Sequence, residues 1–459
     1  MTSLIRENKI IIGLIIGYFL IFSSLSVWRH YTFQTQTWDL ATFEQSFWNT
    51  LQGKIMFNNF EGKNHLAIHF SPILFLLLPI YALWQTPENL LILQTAALAI
   101  AALPLYLLAK KILNKNWAIF ISALYLIYPS VHWINLFDFH EVPLAIPLIF
   151  SSFYFVTKKK YYLASLFLIL TAMVSENMIV AVIFMGLYFL LFDHKHFGLT
   201  VSLFSLIYFL AVVQLIMPAL GGGLIRLDRY AQFGTTAPEI ISNVIFNPSL
   251  TWQTVATSQK FFYLTKIFLP LLFLPLINIK TLILLVPGLL QNLLTNFEFQ
   301  FTNFYQYDSI LIPFLFIGLI FAVKKILDWQ INKLIVMILI AASAMVSFLW
   351  QSPLSPFNFP TAKFFNSRTK TFQEILKLIP ANASVSAHTN LVPHLTHREF
   401  IYMNGDEKFL VDYLIIDSQD LFGFPDQQSF DQYLNIYLRS DSYQAYLIDE
   451  QYYIFKKIF

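Results

Sequence analysis

Apolar runs long enough to cross a bilayer recur through residues 10–350 of the chain. A membrane-spanning helix needs about 20 mostly apolar residues. Residues 10–27 meet this requirement without a charge, and further runs bring the expected number of spans to about eleven. Charged residues make up 12% of the chain, against about 25% in soluble domains. The sequence therefore predicts an all-α polytopic membrane protein. The further predicted spans are 89–109, 117–137, 142–157, 161–175, 177–192, 197–218, 261–279, 281–297, 309–323 and 334–350.

One ambiguous run, residues 70–84, decides the predicted topology. It is apolar but short, and it contains Pro72 and Pro79. If it does not cross and the N-terminus is cytoplasmic, every basic cluster between the later spans falls inside, as the positive-inside rule expects. We therefore predict a multi-pass protein of the cell membrane with 70–84 as a juxtamembrane element. Residues 10–27, which follow Arg6 and Lys9, become an uncleaved anchor. The basic clusters are Lys110-Lys111-Lys115, Lys158-Lys159-Lys160, His194-Lys195-His196, Lys280 and Lys324-Lys325.

The composition of the chain changes after residue 350. A linker rich in Pro, Ser and Asn leads to alternating short helical and strand patterns. These patterns predict a helix at 371–379, a strand at 383–387, a short helix at 390–397, a buried strand at 413–417 and a hairpin at 443–456. An odd number of spans places this part outside. The predicted domains are a transmembrane domain (1–350) with an external first loop (29–88), a linker (351–368) and a small extracytoplasmic α/β domain (369–459).

Composition also excludes several kinds of site. The chain has no cysteine, which excludes disulfides, thiolate metal ligands and thiol nucleophiles. Its net charge of +3 is too small to indicate a nucleic-acid partner. Gly221-Gly222-Gly223 lacks the lysine and the strand context of a phosphate-binding loop.

The first loop carries the first candidate site residues. Ionisable groups near a bilayer are costly and therefore often functional. Asp39 opens an amphipathic stretch in which Leu40, Phe43, Phe47 and Leu51 share one helical face. A helix cap and a catalytic or substrate-contacting role both suit Asp39. His69 suits a substrate contact or a bond to a backbone carbonyl, whereas we interpret Glu44 and Gln45 as surface-facing or structural.

Further candidates lie at other predicted outer ends. Asp138 and His140, with Asp39 and His69, offer the carboxylate and imidazole groups that divalent cations bind, although no metal site is assigned. Glu176 is either a substrate contact or a carboxylate favoured at a helix start.

Two arginines and three histidines complete the candidates. Arg226 and Arg229 suit phosphate recognition or an interfacial position. In the C-terminal part, His388, His394 and His397 form either a metal set or surface and capping groups.

Several stretches together resemble a known family. They are WDLATFEQSFWNTLQGK, HFSPILFLLLPIYAL, LLILQTAALAIAALPLYLLAKKIL, YPSVHWINLFDFH, VSENMIV and ANASVSAHTNLVPHLTHREFIY. The chain resembles an uncharacterised prokaryotic family of predicted membrane proteins that is related to the GT-C glycosyltransferases. Those enzymes have an acidic residue in a first external loop that also carries juxtamembrane helices, and Asp39 matches this acid by position. Two details differ, because Leu40 follows Asp39 where an Asp-Glu pair is common, and Ser175 precedes Glu176 where Lys is frequent.

The resemblance implies sugar transfer on the outer face of the membrane. The donor would be a polyprenyl-phosphate-linked sugar and the acceptor a glycan or protein. Asp39 would act as the general base on the acceptor hydroxyl. His69, Asp138, His140, Glu176, Arg226 and Arg229 would bind substrate, with the two arginines at the lipid phosphate. No cofactor is assigned, and a divalent cation remains an option.

Two other function classes stay open at this point. A polytopic transporter or lipid flippase is one, because several prolines lie within predicted spans, although such proteins usually bury polar sites near the bilayer midplane. The other is a non-catalytic membrane scaffold whose C-terminal part binds a glycan.

Overall fold

Helices make up most of the structure, and one larger sheet forms near the C-terminus. The computed structural model describes residues 9–366 and 368–458, so Arg6 and position 367 of the predicted linker lie outside the described residues. The α-helices up to Gln351 are α1 (Lys9–Tyr31), α2 (Thr42–Leu51), α3 (Leu74–Leu83), α4 (Pro87–Ile112), α5 (Lys115–Leu126), α6 (Pro129–Leu136), α7 (Ala145–Thr157), α8 (Tyr161–Ala172), α9 (Glu176–Phe192), α10 (Lys195–Ala211), α11 (Met217–Ala219), α12 (Ala237–Phe246), α13 (Pro248–Val255), α14 (Ser258–Phe268), α15 (Ile279–Leu293), α16 (Ile312–Asp328) and α17 (Lys333–Gln351).

Within the described residues, four helices are long and apolar enough to cross a membrane. They are α1, α4, the continuous segment Lys195–Ala219 and α17. A fifth span results if α5 and α6, which meet at a 45° bend, cross together. The prediction of a multi-pass helical membrane protein with a small C-terminal sheet region is confirmed. The count of about eleven spans stays a prediction, because other predicted spans form shorter apolar helices of 10–17 residues.

The run 261–279 is not one helix, and the prediction of a single spanning helix there is wrong. Helix α14 ends at Phe268, and two short 3-10 segments follow, Leu269–Leu271 and Leu274–Ile277. Pro270 and Pro275 are the second residues of these two segments. Between them two residues have φ of 53° and 57°, in the left-handed region. Proline lacks the N–H that an α-helix needs, so the segment turns instead of continuing.

The first loop folds back onto the helices. A π-helical turn (Thr37–Ala41) leads directly into α2. A two-stranded hairpin of β1 (Phe57–Asn58) and β2 (Lys63–Asn64) follows, and then a 3-10 turn, His65–Ala67. With ten residues, α3 is about 15 Å long, which is half of the hydrocarbon core of about 30 Å.

The amphipathic pattern of the first loop is partly as predicted. Leu40, Phe43 and Phe47 are buried together, as the shared helical face predicts. Glu44 and Gln45 are fully buried, so a surface-facing position for them is wrong.

The C-terminal part contains α18 (Thr361–Phe364), α19 (Arg368–Leu378), α20 (Gln427–Leu438) and a five-stranded sheet. The strand order is β4-β3-β5-β7-β6, with β3, β4 and β5 parallel and β7 antiparallel to both β5 and β6. The predicted helix at 371–379, the strands and the hairpin are confirmed. In place of the predicted helix at 390–397 there is only a 3-10 turn, Val392–His394. Strand β4 and helix α20 were not predicted. The strands are β3 (Val385–Ala387), β4 (Ile401–Met403), β5 (Tyr413–Asp417), β6 (Tyr443–Ile448) and β7 (Tyr452–Lys457).

The first loop is packed between the helical region and the C-terminal part. The Thr37 N–H donates to Thr389 Oγ1 at 3.1 Å, and Asn390 Nδ2 donates to the Thr35 carbonyl at 3.1 Å. The His30 ring stacks on His394 with 4.0 Å between centroids. The first loop and the C-terminal sheet therefore lie on the same face of the helical region.

Candidate functional site

Asp39 and His140 meet at the junction of the first loop with the loop that follows α6. Asp39 Oδ1 lies 2.8 Å from His140 Nε2, although the two residues are 101 positions apart. The Asp39 side chain is 21% exposed, whereas that of His140 is only 9% exposed. The N-cap of the π-helical turn is Gln36, and Asp39 lies inside the turn with its side chain on His140, so the capping interpretation is wrong. The pair thus presents a solvent-accessible carboxylate backed by a buried imidazole.

Helix α4 fixes the position of His140. Gln94 Oε1 accepts the backbone N–H of His140 at 2.8 Å, and Gln94 Nε2 donates to the carbonyls of Ile134 and Asp138. His140 Nδ1 lies 3.1 Å from the Asp138 carbonyl. A carbonyl only accepts hydrogen bonds, so Nδ1 carries a proton, and Nε2 faces the Asp39 carboxyl group. Burial lowers the pKa of His140, but the charge and the hydrogen bond of Asp39 outweigh burial and raise it.

Asp138 is held inside the same junction by Arg29. The Arg29 guanidinium pairs with Asp138 Oδ1 and lies 5.7 Å from the centroid of the Phe137 ring. Asp138 Oδ2 accepts the N–H of Gln36 at 2.7 Å. Burial raises the pKa of Asp138, Arg29 lowers it, and the neighbouring Asp39 raises it again. The charge of Arg29 balances that of the buried Asp138. Of the two carboxylates, Asp39 and Asp138, only Asp39 is therefore accessible.

His69 and Glu176 form a second pair that joins the first loop to the start of α9. His69 Nδ1 lies 3.0 Å from Glu176 Oε1, and Glu176 Oε2 accepts the Phe70 N–H at 3.0 Å. Burial lowers the pKa of His69, but the charge of Glu176 and its hydrogen bond raise it to about 9. His69 is therefore charged at neutral pH. Its partner is a carboxylate and not a backbone carbonyl, which was one of the two interpretations of His69, while Glu176 occupies a helix start, one of the two interpretations of that residue.

The predicted divalent-cation set does not assemble. Asp39 and His140 pair with each other, but Asp138 pairs with Arg29 and His69 pairs with Glu176, so the four groups do not share one site. Across residues 9–366 and 368–458, the group of three ligand atoms that lie within 4.8 Å of one another is elsewhere, in the C-terminal sheet.

The three histidines of the C-terminal part do not converge either. His388 faces Asp420, His394 stacks on His30, and His397 Nε2 lies 2.6 Å from Glu44 Oε1. The interpretation of these three residues as one metal set is wrong, because each faces a different element.

Arg229 lies in an aromatic cradle formed by the segment before α16. Its Nη1 donates to Gln300 Oε1 and to the Tyr307 hydroxyl, both at 3.3 Å, and its guanidinium lies 4.2 Å from the Phe297 ring centroid. Within the described residues, Arg229 has no carboxylate at ion-pair distance. Arg226 is exposed on the same segment.

Tyr307 connects this arginine with Asp39 electrostatically. Burial raises the pKa of Tyr307, Arg229 lowers it, and the charge of Asp39 raises it again. Burial and Asp39 also raise the pKa of Tyr305. The charges of Asp39 and Arg229 therefore both act on Tyr307, whereas those of Asp39 and Arg29 act on Tyr305.

The comparisons with known proteins now identify the family. Residues 29–451 match the family described as Predicted membrane protein (DUF2079). The chain belongs to this DUF2079 family. No curated protein matches the chain. Membership agrees with the apolar helices and establishes a multi-pass membrane protein in contact with the lipid bilayer. The matched range includes every candidate site residue described above.

Sequence reasoning missed several residues of the DUF2079 site. Arg29 lies in the last turn of α1, at the opposite end from Lys9. A cation at that end departs from the positive-inside pattern, and this is the signal that could have identified it. Gln94 lies inside a predicted span, where a polar side chain is similarly unusual. Tyr305 and Tyr307 carry no such signal, since tyrosine is common near membrane surfaces.

Chemically, the candidate site offers a partly exposed carboxylate and an arginine on aromatic rings. A partly exposed carboxylate that is held at Oδ1 can accept a proton from a hydroxyl group. An arginine stacked on aromatic rings and free of carboxylates can bind a phosphate. The arrangement suits a reaction that deprotonates one group while an anion leaves.

Proposed function

We propose that this DUF2079 protein is a membrane glycosyltransferase that moves a sugar from a polyprenyl-phosphate donor to a glycan or protein acceptor on the outer face of the cell membrane. The observation that carries the proposal is the Asp39–His140 pair, with Oδ1 and Nε2 2.8 Å apart and the carboxylate accessible. The resemblance to GT-C enzymes gives this acid its role, and the free arginine gives the leaving group a partner.

In the proposed reaction, Asp39 accepts the proton of the acceptor hydroxyl. The hydroxyl oxygen attacks the anomeric carbon of the donor sugar as the bond from that carbon to the phosphate oxygen breaks. For this transfer Asp39 Oδ2 must come within about 2.6 to 3.2 Å of the hydroxyl oxygen. His140 contacts Oδ1 of Asp39 and fixes the orientation of the carboxylate.

The departing lipid phosphate carries the electron pair of the broken bond. Arg229 and the exposed Arg226 stabilise this negative charge, as preorganised cations do when charge develops in a transition state. We assign positioning roles to Asp138 and Glu176 instead of substrate contacts, because Arg29 and His69 already occupy their carboxylates. His69 and His140 hold the first loop and the base.

The proposal includes a topology. About eleven spans cross the membrane, and the transmembrane domain comprises 1–350 with the first loop, 29–88, outside. The linker 351–368 leads to an extracytoplasmic domain, 369–459, and the N-terminus is cytoplasmic. The shortness of α3 supports a juxtamembrane position for 70–84, and the packing of the C-terminal sheet on the first loop supports a common side for both.

The test compares cells that have or lack the gene. Mass spectrometry of cell-surface glycans and lipid-linked sugars should reveal one missing glycan product and one accumulated polyprenyl-phosphate sugar in the deletion strain. The wild-type gene should restore the product. Unchanged glycans and lipid-linked sugars would contradict the proposal. Substrate flux in proteoliposomes without product would instead indicate a transporter.

A further inference from the structure

Three potential metal ligands meet at one edge of the C-terminal sheet. His388 directly follows β3, Asp417 is the last residue of β5, and Asp420 lies three positions further on. Each offers one ligand atom, and these atoms lie within 4.8 Å of one another. They belong to different strands and loops, so the fold itself brings them together.

The strand order marks this edge as a place where ligands bind. Strands β3 and β5 are parallel neighbours, so their carboxyl ends lie at the same edge. After β3 the chain moves to β4 on one side, and after β5 it moves to β6 and β7 on the other side. In open α/β sheets, ligands bind in the crevice at such a switch point, beyond the carboxyl ends of the strands. His388 and Asp417 line this crevice.

His388 supplies a buried nitrogen, Nε2, that makes no hydrogen bond within the described residues. The residue is 3% exposed. Asp420 Oδ2 is 3.0 Å away, at ion-pair distance. Ligand atoms about 2.1 Å from a shared ion are themselves about 3 to 3.5 Å apart, off each other's axis. The observed separation fits ligands of a common ion.

The carboxylate of Asp417 is already oriented. Its Oδ1 accepts the N–H of Gln419 at 3.0 Å and Nε2 of Gln451 at 2.7 Å. Metal ligands are commonly held by such outer hydrogen bonds. Arg368, the nearby cation, directs its guanidinium to Asn390 Oδ1 at 3.3 Å and does not pair with Asp417. The carboxylates of this edge are therefore available to an ion.

We propose that His388, Asp417 and Asp420 bind a divalent first-row metal ion, with Mn²⁺ and Zn²⁺ as the best candidates. One imidazole and two carboxylates combine the ligand preferences of these two ions. Three protein ligands leave at least one position for water or for an oxygen atom of a bound molecule, as in zinc sites that are open to substrates. The Asp420 side chain is 40% exposed and gives an ion access from solvent.

The experiment uses the full chain in detergent after treatment with a chelator. Titration with MnCl₂, followed by electron paramagnetic resonance of the free ion, counts the sites, and a separate titration uses ZnCl₂. The ligand variant is Asp420→Asn, which keeps the size of a partly exposed side chain. Gln451→Leu removes an outer hydrogen bond without removing a ligand. Asp441→Asn changes an exposed acid of the same part of the chain and is the matched control.

We expect one saturable site per chain for at least one of the two ions. Asp420→Asn and Gln451→Leu should each weaken binding by about 10- to 100-fold, whereas Asp441→Asn should bind like the wild type. Nitrogen coupling in the pulsed spectrum of bound Mn²⁺ should disappear in His388→Asn. Absence of a saturable site for both ions would overturn the proposal and leave a simple His388–Asp420 ion pair. Wild-type affinity in both Asp420→Asn and Gln451→Leu would also overturn it.

Discussion

Removing the charge of Glu176 should change both the stability of the protein and its dependence on pH. In Glu176→Gln, His69 loses the carboxylate that raises its pKa from 6.5 to about 9. Such a rise corresponds to about 3.4 kcal/mol. The His69 side chain is 32% exposed, so screening by water reduces the expected contribution to about 1 to 2 kcal/mol. We expect Glu176→Gln to lower the free energy of unfolding by this amount at neutral pH.

The sign of the pH effect follows from the direction of the shift. A histidine whose pKa is higher in the folded state contributes its full stabilisation below its unfolded pKa of about 6.5. This contribution disappears as the pH rises towards and through about 9. The difference in stability between wild type and Glu176→Gln should therefore shrink over this interval.

The assay is thermal unfolding of the full chain in detergent, followed by tryptophan fluorescence between pH 6 and 10. Glu298→Gln, which changes an exposed acid outside this pair, is the matched control and should follow the wild type at every pH. Parallel curves for wild type and Glu176→Gln across the whole range would refute the ion pair as a source of stability.

Two further predictions concern the lipid phosphate and the C-terminal part. Arg229→Lys should lower the rate of sugar transfer by about tenfold or more, because lysine cannot reproduce the stacked planar fork of arginine. The transfer rate is measured at saturating acceptor. An unchanged rate would exclude Arg229 from phosphate binding. Glu44→Gln should weaken the link to His397 and speed proteolysis within 351–368, whereas Glu399→Gln, which changes an exposed pair with Lys54, should not. Equal cleavage rates in both variants would show that the Glu44 link does not hold the C-terminal part in place.

Hydropathy predicted the general architecture because a bilayer demands long apolar helices and a water-exposed sheet demands short alternating strands. The effect of proline was harder to predict. Pro270 and Pro275 lie in a run as apolar as its neighbours, and the structure shows that the helix ends there and two 3-10 segments follow. Strand β4 has three residues, too few for a periodic pattern to reveal it.

The candidate site was predictable in some of its members but not in its pairings. Asp39 and His140 stood out as ionisable groups at predicted outer ends, yet nothing in the sequence gives the distance between them. Glu44 is flanked by aromatic residues on an amphipathic helix, and its complete burial depends on Tyr81 and His397, both distant in sequence. Pairings of this kind depend on tertiary packing, which local patterns do not encode.

The proposed role of Asp39 as the base of a sugar transfer can be measured with reconstituted protein. Purified protein in proteoliposomes receives the lipid-linked sugar that accumulates without the gene, together with its acceptor, and product is measured by mass spectrometry. Asp39→Asn keeps an oxygen that can accept from His140 but loses the basicity, so transfer should fall by about 10²- to 10⁴-fold. Asp228→Asn, at an exposed acid of the arginine segment, should retain activity. Wild-type transfer by Asp39→Asn would contradict the account.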